Sequence, residues 1–145
     1  MAPKSKKFVY VMMDSGASIH AGDFEELVKH FPGLTLKVSK GQKSGEYALT
    51  ANGTTIFNQG EFSLEGEING VPLSIKFTNM KVKVPVASVR LFVRAGCSVS
   101  FYEGGGRITN NKNGATIEFI ELGGVYFLKI RVDRKNSQGF PRPAA

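Results

Sequence analysis

Asp14 is the residue of this chain whose neighbours best equip it for chemistry. It closes the run Phe8-Val9-Tyr10-Val11-Met12-Met13, six apolar residues in succession, and is followed by Ser15-Gly16-Ala17. The run is too short to cross a bilayer and is rich in β-formers, so it predicts a fully buried strand that ends abruptly at a carboxylate. Ser15 can bond locally, Gly16 can take backbone conformations closed to other residues, and Ala17 leaves room for an approaching group. A carboxylate held this way is within reach of ordered solvent and of backbone N–H groups, which suits a general base acting on water. The bland alternative is that Asp14 caps a turn or a helix, as most Asp-Ser-Gly triplets do.

Other candidate groups are sparse. Cys97 is the single cysteine and cannot form an intramolecular disulfide. It lies in the alternating segment Val93 to Phe101, where a buried reduced thiol is expected. Only His20 and His30 could activate it, and neither has a recognisable spacing. Gly104-Gly105-Gly106 lacks the Lys-Ser or Lys-Thr of a phosphate loop and reads as a hairpin turn into Arg107-Ile108-Thr109. No metal or cofactor is expected.

The elements that must position Asp14 are mostly strands. After the Asp14 loop, Asp23 to Phe31 has an N-cap Asp, Glu26 three residues on, and apolar residues at 24, 27, 28 and 31, which predicts one short amphipathic helix closed by Pro32-Gly33. Leu34 to Val38 alternates as a half-buried strand, and 39–45 is a loop. Tyr47 to Thr50 and Thr54 to Phe57 flank Ala51-Asn52-Gly53, and Phe62 to Ile68 and Val71 to Phe77 flank Asn69-Gly70. Asn-Gly between strand-formers predicts a hairpin in each case. Lys81-Val82-Lys83-Val84 reads as a strand ended by Pro85, Ser88 to Val93 as apolar but interrupted by Arg90, and Cys97 to Tyr102, Ala115 to Ile120 and Val125 to Val132 as further strands. Met1 to Lys7 reads as a flexible lead-in and 133–145 as a polar tail.

With 145 residues, 41% of them hydrophobic and 21% charged, the chain fits one globular domain, spanning 8–132. The pattern predicts an all-β domain with a barrel-like or orthogonally packed core. No apolar run suits a membrane span or a signal peptide, so the expected setting is intracellular, cytoplasmic or within virus-like particles. The net charge of +7 sits largely near the ends and reads as solvated tails. Its functional alternative is a salt-sensitive contact with nucleic acid, with Tyr47, Phe57, Phe62 and Phe77 as candidate stacking residues. In an all-β chain such aromatics are more often core.

The order apolar run, Asp14-Ser15-Gly16-Ala17, Ser18-Ile19-His20 resembles the active-site loop of retropepsin-type aspartic proteases, in particular those of copia-type retrotransposon polyproteins. Ala51-Asn52-Gly53-Thr54 is similar to that family's flap hairpin, with Gly60 after it, and Val82-Lys83-Val84-Pro85 to its valine-rich strand ending in Val-Pro. Gly96-Cys97-Ser98-Val99-Ser100-Phe101 and Gly124-Val125-Tyr126-Phe127-Leu128 resemble its later motifs. The resemblance implies a retropepsin-like barrel of one lobe per chain, with Asp14, Ser15 and Gly16 in catalysis and with Ala17, Ser18, Ala51, Asn52, Gly53 and Thr54 against a polypeptide substrate, its own gag-pol-like polyprotein. Two departures stand out. The family places a helical spacer between Val-Pro and the later glycine, whereas ten residues, Val86 to Ala95, stand here, so that support is expected to be shortened or rebuilt around Leu91-Phe92-Val93. Thirteen residues precede Asp14, which leaves little room for the N-terminal strand that retroviral relatives use in dimerisation.

Hydrolysis of a peptide by carboxylates needs one as base and a second, protonated, to hydrogen-bond the scissile carbonyl. The chain has one Asp-Ser-Gly, so the resemblance implies a homodimer with one Asp14 from each chain, a pair that shares a proton and titrates as a unit. Ser15 would bond across the two loops. If one chain supplied both carboxylates, Asp23 and Glu46 would be the nearest candidates in sequence. Two other classes stand beside the protease: an inactive or domesticated relative kept as a dimerising or binding module, and a basic nucleic-acid-binding β-barrel.

Overall fold

The structure, a computed structural model, describes residues 8–37 and 60–132 and the backbone of 47–49 and 55–57. The expectations for 1–7, 39–45 and 133–145, and for the flap residues Ala51, Asn52, Gly53 and Thr54, lie outside the described residues, as do Val38 and Glu46. In chain order the elements are β1 (Phe8–Asp14), β2 (Ala21–Gly22), α1 (Phe24–Val28), β3 (Tyr47–Leu49), β4 (Thr55–Phe57), β5 (Glu61–Ile68), β6 (Val71–Asn79), β7 (Val86–Ser88), α2 (Val89–Arg94), β8 (Cys97–Tyr102), β9 (Gly105–Asn110), β10 (Thr116–Leu122) and β11 (Val125–Val132). The protein is all-β, as its hydrophobic alternation and turn chemistry predict. β3 and β4 pair antiparallel as a separate two-stranded ribbon, Leu49 opposite Thr55.

The main sheet closes on itself. Its order β1-β7-β2-β6-β5-β11 returns to β1 through an antiparallel β1–β11 ladder, Phe8 opposite Arg131 through Met12 opposite Phe127. Closure removes the free edges those six strands would otherwise present. The meander β11-β10-β9-β8 then runs away from the barrel. Where β5 meets β11, a Cβ on Gly66 would lie 2.2 Å from the Arg131 carbonyl oxygen, so only glycine lets the two backbones approach there.

Inside the barrel lie Val11, Phe62, Leu64, Phe77, Leu128 and Ile130, each almost fully buried. The Phe62 and Phe77 rings stack at 5.5 Å. Each such side chain contributes about 1.5–3 kcal/mol by leaving water. The β5–β6 hairpin turns at Asn69-Gly70, with Ile68 opposite Val71 and both turn residues at positive φ (51° and 82°), as the Asn-Gly pair predicts.

Several expectations are corrected. β1 is not buried on both faces: Val9, Val11 and Met13 face the core, while Phe8, Tyr10, Met12 and Asp14 are partly exposed. Lys129 lies over the Phe8 ring at 4.5 Å, so its aliphatic stem and charge cover the outer face. Leu34 to Lys37 is not a strand; Lys37 makes an isolated bridge with Glu61, and Leu34 is buried as a single anchor. Lys81 to Val84 is likewise irregular, since the neighbouring edge of β1 is occupied instead by Pro85, whose carbonyl accepts from the Met12 N–H, and by β7.

There are two short helices among the described residues rather than one. The second, α2, lies in the ten-residue segment where the support is expected to be shortened or rebuilt around Leu91-Phe92-Val93: Val86 to Ala95 holds both a strand and a helix, and the helix contains those three residues. Ser88 caps α2, its Oγ accepting from the Leu91 N–H, and Val89 and Phe92 pack against the core. In α1, the Asp23 side chain accepts from the Glu25 N–H. The triple glycine divides as well: the turn is Glu103-Gly104, and Gly105 and Gly106 already belong to β9, where a Cβ on Gly106 would collide with the Phe119 ring.

Candidate functional site

Asp14 stands at the last position of β1, directly opposite Ser88 in the parallel β1–β7 ladder. From there the chain leaves the barrel wall, makes a tight loop through Ser15 to His20, and returns as β2 between β7 and β6. The loop is thus anchored at both ends by barrel strands. The Asp14 carboxylate accepts at Oδ1 from the Gly16 N–H at 2.8 Å, and the Asp14 carbonyl accepts from the Ala17 N–H at 3.4 Å. A Cβ at residue 16 would come within 3.3 Å of the same Oδ1. A side chain there would press the carboxylate away from its own loop by a few tenths of an ångström.

Two side chains not singled out as site residues hold this loop. Ser88, fully buried, donates from Oγ to the Ala17 carbonyl at 2.7 Å. Its own N–H donates to Nδ1 of His20 at 2.9 Å. Nδ1 must therefore be unprotonated, and the ring proton is on Nε2. His20 packs against the rings of Phe92 (5.2 Å) and Phe77 (6.3 Å), and this burial holds its imidazole below its ordinary pKa of 6.5. The His20 carbonyl accepts from the Thr78 N–H at 2.9 Å. The loop that bears Asp14 is pinned to β6, β7 and α2 at once.

Of the expected site residues, the structure brings together Asp14, Gly16 and Ala17. Ser15 and Ser18 project at the surface of the same loop. Asp23, the nearest alternative carboxylate in sequence, is engaged as the α1 cap. Cys97 is a free, half-buried thiol on β8. Among the described residues no group of three or more His, Cys, Asp or Glu could hold a metal ion, and no helix is long and apolar enough to cross a membrane. Phe62 and Phe77, offered as stacking residues for nucleic acid, are core.

Ser88→Ala is expected to destabilise the fold by roughly 1–3 kcal/mol, because it strips a donor from the Ala17 carbonyl and the cap from α2. Chemical denaturation checks this, with an unchanged midpoint as the contrary result. A serine before an apolar stretch is a helix-start signal that could have pointed to its cap; nothing local points to its bond with Ala17, 71 residues away in sequence.

No protein-family model, curated protein or solved structure matches this chain. The reading of the site rests on its own geometry and on the motif order in the sequence.

Proposed function

We propose that the protein is a homodimeric aspartic endopeptidase of the retropepsin type, similar to those of copia-type retrotransposons, that cleaves polypeptide, its own polyprotein being the natural substrate. The observation that carries this reading is the Asp14 loop: a carboxylate at the end of a barrel strand, set by the Gly16 N–H and locked by Ser88 and His20. A loop fixed at four points keeps a catalytic group in place without rearrangement during the reaction, which is what preorganised acid–base catalysis requires.

In this mechanism the two Asp14 carboxyls of the dimer share one proton. The ionised one takes a proton from water as that water attacks the scissile carbonyl carbon, and the protonated one hydrogen-bonds the carbonyl oxygen. The proton is then delivered to the leaving amine. Residues 86–95 supply both β7 and α2 beneath the loop, which supports an intact rather than a degenerate site.

The test is cleavage of an unstructured polyprotein junction by the purified chain, across pH and with a pepsin-type transition-state inhibitor. Cleavage that the inhibitor blocks is expected, and activity per chain should fall on dilution as the dyad separates. Activity per chain that stays constant well below the concentration at which sedimentation shows monomers would overturn the shared site.

A further inference from the structure

The cation–π contacts of the described residues all fall on one face of the main sheet. It is the outer face, opposite the barrel core. Along β1 and β11 the inward positions are Val9, Val11, Leu128 and Ile130, so strand alternation turns Tyr10, Met12, Phe127 and Lys129 outward. The register carries the same face across five strands: Met12 stands opposite Phe127, Phe127 opposite Ile120, Ile120 opposite Gly105 and Gly105 opposite Tyr102. That row holds no charge. Two residues along each strand the next row begins, with Lys129 opposite Tyr10 on one side and Arg107 between Glu118 and Ser100 on the other. An apolar row bordered by cations fits a nucleotide, whose flat base needs an apolar or aromatic surface and whose phosphate needs a positive charge.

The rings are placed for stacking. Tyr102 is 45% exposed, and its ladder partner is Gly105, which has no side chain to cover it. Its hydroxyl donates to the Gly106 carbonyl at 3.3 Å, so the ring lies across β9 instead of standing up from the sheet. The Arg107 guanidinium is 6.0 Å from its centre, at the outer reach of a cation–π contact. On the barrel side Tyr10 stands edge-on to the buried Phe127 at 6.4 Å, with the Lys129 ammonium 5.9 Å from its centre. Each ring thus has a cation beside it. Those cations are not neutralised on the protein: the two ion pairs among the described residues join Lys29 to Glu26 and Lys76 to Glu61. Glu118 and Glu67, the exposed register partners of Arg107 and Arg131, make no ion pair with them. The net charge of +7 has the same sign, and basic residues crowd both ends of the β1–β11 ladder in sequence, Lys4, Lys6 and Lys7 before Phe8 and Arg134 and Lys135 after Val132.

We infer that this outer face binds single-stranded nucleic acid, with bases stacked on Tyr10 and Tyr102 and phosphates on Lys129, Arg107 and Arg131. The core positions of Phe62 and Phe77 move the stacking surface from the inside of the barrel to its outside. A single strand is the form that fits, because a duplex keeps its bases stacked on one another and offers these rings nothing but its backbone. The inference does not rest on Asp14, whose role in cleavage is a separate question.

The test is fluorescence anisotropy of the full chain with a short labelled oligo(U), its oligo(dT) counterpart, a duplex of equal length and polyglutamate, over a series of salt concentrations. Both single strands are expected to bind more tightly than the duplex or the polypeptide, and a gap between oligo(U) and oligo(dT) would show which sugar the face prefers. Tyr102→Ala should weaken binding by about fivefold or more, the usual loss of one stacked base. Lys129→Gln and Arg107→Gln should each lower the slope of log affinity against log salt by about 0.7. Glu118→Gln, an exposed position, should strengthen binding, an effect that a folding defect does not produce. Absence of binding at low salt would overturn the inference, as would equal affinity for the duplex or for polyglutamate. Binding that these four variants leave unchanged would also overturn it and assign the contact to residues 1–7 or 133–145. Oligonucleotide binding without cleavage of any polypeptide would keep this face and sink the protease reading, and cleavage without binding would do the reverse.

Discussion

Asp14→Asn is expected to lower the rate of peptide cleavage by roughly 10²- to 10⁴-fold, the usual contribution of a positioned general base, with the fold and the dimer retained. The carboxamide matches the carboxylate in shape, and its oxygen can still accept the Gly16 N–H that the wild-type Oδ1 accepts at 2.8 Å. What it cannot do is take a proton from water or share one with its partner. In the proposed homodimer both copies of the group would change at once, so no ionisable member of the pair would be left. The measurement is single-turnover cleavage of an unstructured peptide, with sedimentation and circular dichroism on the same sample. A rate within about tenfold of wild type would show that Asp14 is not the base, and its carboxylate would then be a turn cap of the kind Asp-Ser-Gly commonly makes.

His20→Ala is expected to destabilise the protein by about 2–4 kcal/mol, because it orphans the buried Ser88 N–H and leaves a space between Phe77 and Phe92. The pH dependence is the more telling part. Burial holds the folded-state pKa of His20 below its ordinary 6.5, so as pH falls the unfolded chain takes up this proton first. The unfolded state then binds more protons than the folded one, and stability is lost on going from above 6.5 down through the folded-state value. The geometry acts in the same direction as burial: Nδ1 accepts from the Ser88 N–H, and a protonated imidazole has no acceptor to offer there. His20→Gln keeps an acceptor that does not titrate. Its melting temperature should therefore fall less than that of wild type between about pH 8 and pH 5. Identical pH profiles for the two proteins would mean that His20 does not hold the loop through this bond.

Much of the site's address was legible in the residues. A six-residue apolar run rich in β-formers favours a strand, and an Asp-Ser-Gly directly after it favours a turn. The Asn69-Gly70 hairpin was equally legible, because a two-residue turn that matches strand twist needs positive φ at both positions and this pair supplies it at little cost. These are local properties, settled within a few residues.

The tertiary structure decided what depends on partners far along the chain. Val89-Arg90-Leu91-Phe92-Val93-Arg94 has two β-branched residues and is too short to be a helix by itself. It is one because Ser88 caps it and the barrel takes up Val89 and Phe92. Lys81 to Val84 has strand alternation but no open edge to join, since β1 is already flanked by β7 and β11. The half-exposure of β1, the closure of six strands into a barrel and the clamp from Ser88 and His20 onto the Asp14 loop, which joins residues 68 and 71 positions apart, have no signature in any one segment. The sequence by itself determined where a carboxylate would be delivered and on what kind of element. Only the packing of distant strands decided what holds it there, because pairing partners and burial are properties of the whole chain's arrangement rather than of any residue's type.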